Sequence, residues 1–266
     1  MSLGRVSLPS PIVSVANRRG MFPATRHSII ADIASPDIGI RRVAFDALVS
    51  AYWRPVYKYI RIKWRRDRDD AADLTQEFFS RAFERGLLAR FDPARARFRT
   101  FLRVCLDGFV ANEIKAQGRL KRGGGASFVP LDFAAAEQEL SSYPAMQGGN
   151  GAVVANGDED ALFRQEWVRG LFTDAVAALR ASCEASGKTM QFAVFQRYDL
   201  EDDASVRPTY AQLATELAIP VTQVTNYLAF ARRELRRLVL ERLRSLCATD
   251  EEFRLEARAL LGVDPA

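Results

Sequence analysis

The chain is poor in the residues that build metal and nucleophile sites. It has one histidine, His27, and three cysteines, Cys105, Cys183 and Cys247, in 266 residues. The cysteines are far apart and form no CxxC, so a zinc site is not expected. Free thiols in a reducing compartment are the expected state. There is no phosphate-binding glycine loop, metal-ligand cluster or recognisable triad, so an enzyme acting on nucleic acid lacks support and no cofactor is expected. Long apolar runs are also missing. The start, MSLGRVSLPSPIVSVANRRG, has a short apolar patch broken by Pro9 and Pro11, which does not make a signal peptide. No transmembrane segment is present, so a cytoplasmic protein with no membrane partner and a mobile N-terminal tail is expected. Strand signals are almost absent.

What is present is a globular composition, 48% hydrophobic and 27% charged. The length suits one large domain or two of ordinary size. A formal net charge of +5 hints at a polyanionic partner. The charge is unevenly spread. From Gly123 to Asp160 there is no lysine or arginine, while Asp132, Glu137, Glu139, Asp158, Glu159 and Asp160 are acidic. The stretch is rich in glycine, alanine and serine, and KRGGG at 121–125 opens it. It is predicted to be a flexible linker with a negative bias.

Either side of that linker the pattern is helical. Ser35-Pro36-Asp37 resembles a helix start, with a capping serine, proline at the first helical position and an acid near the positive end. Val43, Leu48, Tyr52 and Val56 recur at roughly helical spacing, and Pro55 is expected to separate two helices. DAADLTQEFFSRAFER, residues 70–85, predicts another helix. Asp92-Pro93 opens a turn, and a long basic helix is expected from about Arg95 to Gln117. Helical pattern resumes near Ala161, with Leu162, Trp167, Leu171, Val176 and Leu179 at the apolar positions.

The segment PTYAQLATELAIPVTQVTNYLAFARRELRRL, residues 208–238, carries the strongest local signal. Thr209 and Gln212 have capping-box spacing. Leu213, Ala214 and Leu217 form one apolar face, and small Ala214 permits a close helix crossing. Ala218-Ile219-Pro220 breaks the chain, with Ala218 where glycine would suit a left-handed turn. The next helix sets Val224, Leu228, Leu235 and Leu238 on its apolar face. Thr222, Gln223, Thr225, Asn226 and Tyr227 lie on the other face, followed by Arg232, Arg233, Arg236 and Arg237. Short polar groups at a helix start can touch base edges, and arginines further on can hold phosphates. An amphipathic hairpin with a solvated arginine face would have the same pattern. The order of cap, small residue, tight turn, polar start and basic end favours a helix-turn-helix.

In the N-terminal half, Asp73, Gln76 and Glu77 fall on neighbouring helical positions. By itself this reads as a solvated face. The following helix mixes Phe98, Phe101 and Phe109 with Arg99, Arg103, Lys115, Arg119, Lys121 and Arg122. Basic groups can track phosphates while exposed aromatics stack on unpaired bases. The alternative is that the phenylalanines are core, which is the expectation for Phe98 and Phe109.

These motifs together resemble a known family. DDAADLTQEFFSRAF is similar to the helix of sigma domain 2 that binds core RNA polymerase. FRTFLRVCLDGFVANEI is similar to the promoter-melting segment that follows it. YAQLATELAIPVTQVTNYLAFARREL is similar to the helix-turn-helix of sigma domain 4. The resemblance, over about residues 26–245, is to the extracytoplasmic-function sigma factors of the sigma-70 family. It implies an all-α fold of two helical domains, a sigma domain 2-like bundle and a sigma domain 4-like helix-turn-helix, joined by the acidic linker. The corresponding boundaries are a tail at 1–25, the first domain at 26–122, the linker at 123–160, the second domain at 161–246 and a C-terminal helical extension at 247–266. Packing of that extension on the second domain is the expectation.

The resemblance also implies roles and partners. Asp73, Gln76 and Glu77 would meet the β′ clamp of core RNA polymerase, and the β flap would be a further contact. Arg99, Phe101, Asn112, Lys115, Arg119, Lys121 and Arg122 would lie at the −10 region of promoter DNA, where a base leaves the stack for a pocket. Thr222, Gln223, Thr225, Asn226, Tyr227, Arg232 and Arg233 would read the −35 region. Phe101, Gly108, Asn112 and Ala72 stand where the family commonly has tryptophan, asparagine, aspartate and glutamate. An anti-sigma protein or other regulator is a further partner the resemblance admits. The rival reading is a helix-turn-helix repressor or activator that binds DNA without polymerase. Such a protein needs neither the acidic face at 73–77 nor the acidic linker.

Overall fold

A computed structural model describes residues 28–117, 129–141, 159–201 and 207–262. The chain is all-α, with no strand among the described residues. A short helix α1 (Ile29–Asp32) leads into the long α2 (Ile38–Lys63), then α3 (Arg68–Glu84), a 3₁₀ turn (Leu87–Arg90) and α4 (Phe98–Gln117). After these come α5 (Phe133–Ser141), α6 (Glu159–Ala185), α7 (Thr189–Phe195), a π-helical turn (Gln196–Leu200), α8 (Tyr210–Glu216), α9 (Val221–Ser245) and α10 (Asp250–Leu261).

The start of α2 is capped two residues later than the sequence suggests. The Asp37 carboxylate accepts from the Gly39 and Ile40 amides, and the Ser35 hydroxyl accepts from the Asp37 amide instead. The expected break at Pro55 does not occur, because Pro55 lies inside the continuous helix Ile38–Lys63. A proline in a helix interior forfeits one hydrogen bond and costs about 3 kcal/mol. Here Leu48, Val49, Tyr52, Trp53, Val56, Tyr57, Tyr59 and Ile60 are all buried around it. Several such side chains, each worth about 1.5–3 kcal/mol when buried, outweigh that penalty.

Helix α4 buries Phe98, Leu102, Leu106 and Val110, a spacing of four that keeps one stripe on the core. Phe101 and Phe109 are partly buried, Phe101 against Phe91 and Phe109 against Phe78. Phe98 is core, as its sequence position suggests.

Two apolar cores organise the chain. The larger runs from Ile30 through α2, α3 and α4 and takes in Leu162, Phe163, Trp167, Leu171 and Ala175 of α6. It also takes in Val239, Leu243, Leu246, Cys247 and Ala257 near the C-terminus. The smaller contains Leu179, Cys183, Phe192, Val194, Phe195, Leu213, Ala214, Val224, Leu228 and Ala231. Helices α6 and α9 therefore each contribute one end to each core. The packing divides inside α6, between Ala175 and Leu179, and not at the composition shift near residue 161.

The described part of the acidic segment forms α5, which lies on α2. Phe133 meets Trp53 edge-on with ring centroids 5.4 Å apart. The Glu137 carboxylate accepts from Arg61 Nε at 2.6 Å and from the Tyr57 hydroxyl at 2.6 Å. Glu139 and Glu166 both sit against the ammonium of buried Lys58, at 2.5 and 2.9 Å. The three cysteines are free thiols. Burial pushes the Cys105 thiol up to about 11 and raises those of Cys183 and Cys247 as well, which disfavours the nucleophilic thiolate form.

Candidate nucleic-acid and polymerase interfaces

The acidic face of the first half is built on α3. Asp67 caps that helix, accepting from the Asp70 amide at 2.8 Å. Leu74, Thr75, Phe78 and Phe79 are buried, which leaves Asp69, Asp73 and Gln76 exposed on the opposite face. Glu77 lies at the margin. Arg81 Nε donates to it at 2.6 Å, and Arg81 also pairs with Glu113 of α4. Of the three polymerase-facing residues implied by resemblance, Asp73 and Gln76 are free to meet a partner, while Glu77 helps hold α3 to α4.

The candidate −10 residues separate into three groups. Asn112 and Lys115 are exposed on α4. Phe101 is half-buried in an aromatic cluster with Phe91 and Phe98. Arg99 is buried at 8% exposure, paired with Glu256 of α10 and stacked 5.3 Å from the Trp167 ring. It therefore does not present its guanidinium to solvent. Arg119, Lys121 and Arg122 lie outside the described residues. Further along α4, Arg103 and Lys63 of α2 are held by Asp107, Glu159 and Asp160. Asp107 also accepts from the Tyr59 hydroxyl and from Trp64 Nε1, so one carboxylate organises four side chains.

Helices α8 and α9, the candidate helix-turn-helix, have a capped entry and a tight turn between them. Thr209 and Gln212 make a complete capping box. The end of α8 is a Schellman turn: the Ile219 amide bonds the Ala214 carbonyl at 3.0 Å and the Ala218 amide bonds that of Thr215 at 3.4 Å. Ala218 takes φ +53°, the left-handed conformation the turn requires. Pro220 precedes α9 with no side-chain cap, and its carbonyl accepts from the Gln223 amide. Leu213, Ala214, Val224 and Leu228 lock the two helices together.

This places Thr222, Thr225 and Asn226 in the open at the start of α9. Gln223 and Tyr227 are half-buried and linked, the tyrosine hydroxyl donating to Gln223 Oε1 at 3.1 Å. Arg232 and Arg233 are exposed. Arg232 is held in a two-point fork by Asp199, at 2.8 and 2.9 Å, and lies over the Tyr198 ring. Sequence reasoning missed Asp199, which reaches Arg232 from the π-helical turn thirty-three positions away. It also missed the pairing of Arg97 and Arg99 with Glu256 and the stacking of Arg99 on Trp167, which depend on tertiary packing and leave no local signal.

Among the described residues, no three histidine, cysteine or acidic side chains are grouped to hold a metal ion. None of their helices is long and apolar enough to cross a membrane.

The arrangement thus defines a class: an all-helical protein with a capped pair of helices joined by a tight turn and an exposed acidic helix face. Residues 48–120, spanning most of α2 through α4, match the family model of sigma-70 region 2. Over those residues the chain carries a sigma-70 region 2, which supports a sigma factor role in transcription initiation. A sigma-70 region 2 implies core RNA polymerase and promoter DNA as partners. No curated protein and no solved structure matches the chain.

Proposed function

We propose that this protein is an initiation factor of the extracytoplasmic-function type, which joins core RNA polymerase through α3 and contacts promoter DNA at two places. One observation carries the reading: an open patch of two acids and an amide, Asp69, Asp73 and Gln76, within the region 2 match, in the same chain as a capped helix pair with the form of a helix-turn-helix. A repressor would use the second feature and have no need of the first. Asp73 and Gln76 meet the β′ clamp. Asn112, Lys115 and Phe101 serve the −10 region. Thr222, Gln223, Thr225, Asn226 and Tyr227 read the −35 region in the major groove, and Arg232 and Arg233 hold its phosphates.

The test is co-elution with bacterial core RNA polymerase. Asp73→Lys reverses an exposed charge without touching the core, and should weaken the complex about tenfold, equivalent to about 1.4 kcal/mol. Wild-type protein that forms no complex, yet binds duplex DNA alone, would overturn the assignment in favour of a repressor or activator.

A further inference from the structure

Helix α10 covers the beginning of α4. The residue before α4 is Arg97, which has no side-chain acceptor to cap a helix. The missing acceptor comes from α10, where Glu252 Oε1 accepts from the Phe98 amide at 3.3 Å. One turn further on, the Glu256 carboxylate takes Arg97 Nη1 at 2.7 Å and Arg99 Nη1 on the same oxygen. Its other oxygen, Oε2, is buried with no hydrogen-bond partner. A buried carboxylate with one bare oxygen fills the site imperfectly.

The rest of α10 is lightly held. Only Ala257 among its apolar residues is fully buried, with Phe253, Leu260 and Leu261 partly so. A helix of this length is marginal in water once undocked. Two guanidiniums converging on one oxygen at a helix entrance form an anion site. A backbone phosphate, with three acceptor oxygens, would satisfy both arginines better than a single carboxylate oxygen does.

Building on the proposed function, we propose that Arg97 and Arg99 form a binding site for a nucleic-acid backbone phosphate. In the free chain Glu256 occupies it, and α10 must undock before promoter DNA can. The C-terminal extension therefore acts on the first DNA-binding half as well as packing on α9. The phosphate comes from a melted single strand, because Phe101, two positions from Arg99 on α4, is assigned to the −10 region.

The experiment compares the full-length wild type with Glu256→Gln. Fluorescence anisotropy would follow a labelled single-stranded 20-mer, its duplex and competing inorganic phosphate over a salt series. Glu256→Gln should bind the single strand roughly tenfold more tightly, as expected if the competent state rises from about a tenth of the population. Its salt slope should match the wild type's, since both complexes make the same two phosphate contacts, and changing Arg97 and Arg99 to glutamine in Glu256→Gln should make the slope shallower by about 1.4, two contacts at about 0.7 each. An equal gain on the duplex would assign the phosphate to double-stranded DNA and overturn the single-strand assignment. Unchanged affinity in Glu256→Gln, or an unchanged slope when both arginines are replaced, would overturn the site itself.

Hydrogen exchange on the wild type gives a readout independent of the variant. Saturating single strand should abolish protection at 250–261, and full protection in the bound state would also overturn the proposal. Core polymerase binding is measured in parallel. If it is intact while these signals are absent, only the present inference fails. If it is absent in the wild type, the proposed function fails.

Discussion

Replacing Lys58 with methionine tests how α2, α5 and α6 are joined. The Lys58 side chain is 2% exposed and its ammonium lies 2.9 Å from Glu166, whose side chain is fully buried. Glu139, the other partner, is 32% exposed and also has Arg54 at 3.7 Å, so it keeps a partner and water when Lys58 is lost. Arg169 lies at the longer distance of 3.9 Å from Glu166. Removing one member of a buried pair typically costs about 3–5 kcal/mol, because the other charge is stranded. For a chain of this size that corresponds to a fall in Tm of roughly 6–20 °C. Thermal unfolding followed by circular dichroism at 222 nm would measure it. Adding Glu166→Leu should restore most of the loss, since apolar replacement of a whole buried pair is often neutral or stabilising. A single variant that loses less than about 1 kcal/mol, or a double variant that unfolds as early as the single, would refute a desolvated pair at this junction.

Ala218→Gly should stabilise the helix-turn-helix by roughly 0.5–1 kcal/mol, because the residue holds a left-handed conformation that glycine adopts without penalty. Urea unfolding would check this, and a loss of stability would contradict the Schellman turn. Glu137 is held below the usual carboxylate range, first by the Arg61 guanidinium and then by the Tyr57 hydroxyl. Its contribution should therefore be complete above the unfolded-state value of about 4.3 and be lost as pH falls through the lower folded-state value. Unfolding free energies measured from pH 6 to 3 should fall less steeply for Glu137→Gln than for the wild type.

Features written in local chemistry are legible in the residues alone. The Thr209–Gln212 capping box, the left-handed Ala218 and the amphipathic stripes of α3 and α9 depend on neighbours within a turn or two, so spacing reveals them. Pro55 misleads because its local rule is real but is outweighed by the burial of residues far away in sequence. Helix α5 is hidden in a segment whose glycine, alanine and serine content suggests a linker. Its docking rests on Phe133, Glu137 and Glu139 finding partners about eighty positions earlier. Arg99 shows the same limit within the site. Its type and position suit a phosphate contact, yet the residue it meets is Glu256, 157 positions on. The surface start of α9 is legible because exposure there follows directly from helical phase.

The sharing of α6 between two cores has a mechanical consequence. At about 1.5 Å per residue the helix is roughly 40 Å long, with Leu162, Phe163 and Trp167 seated at one end and Leu179 and Cys183 at the other. The two halves cannot be spread apart by flexing a loop while both seats stay filled. Either α6 breaks, or its first half is pulled from α2 like a plug. Pulling it out would bring aromatic surface into water and free Lys58, Lys63 and Arg103 from Glu166, Glu159 and Asp160 in one motion. Apolar and ionic contacts respond oppositely to added salt. The force holding this protein shut is therefore a balance of two terms that the ionic medium tunes in opposite directions.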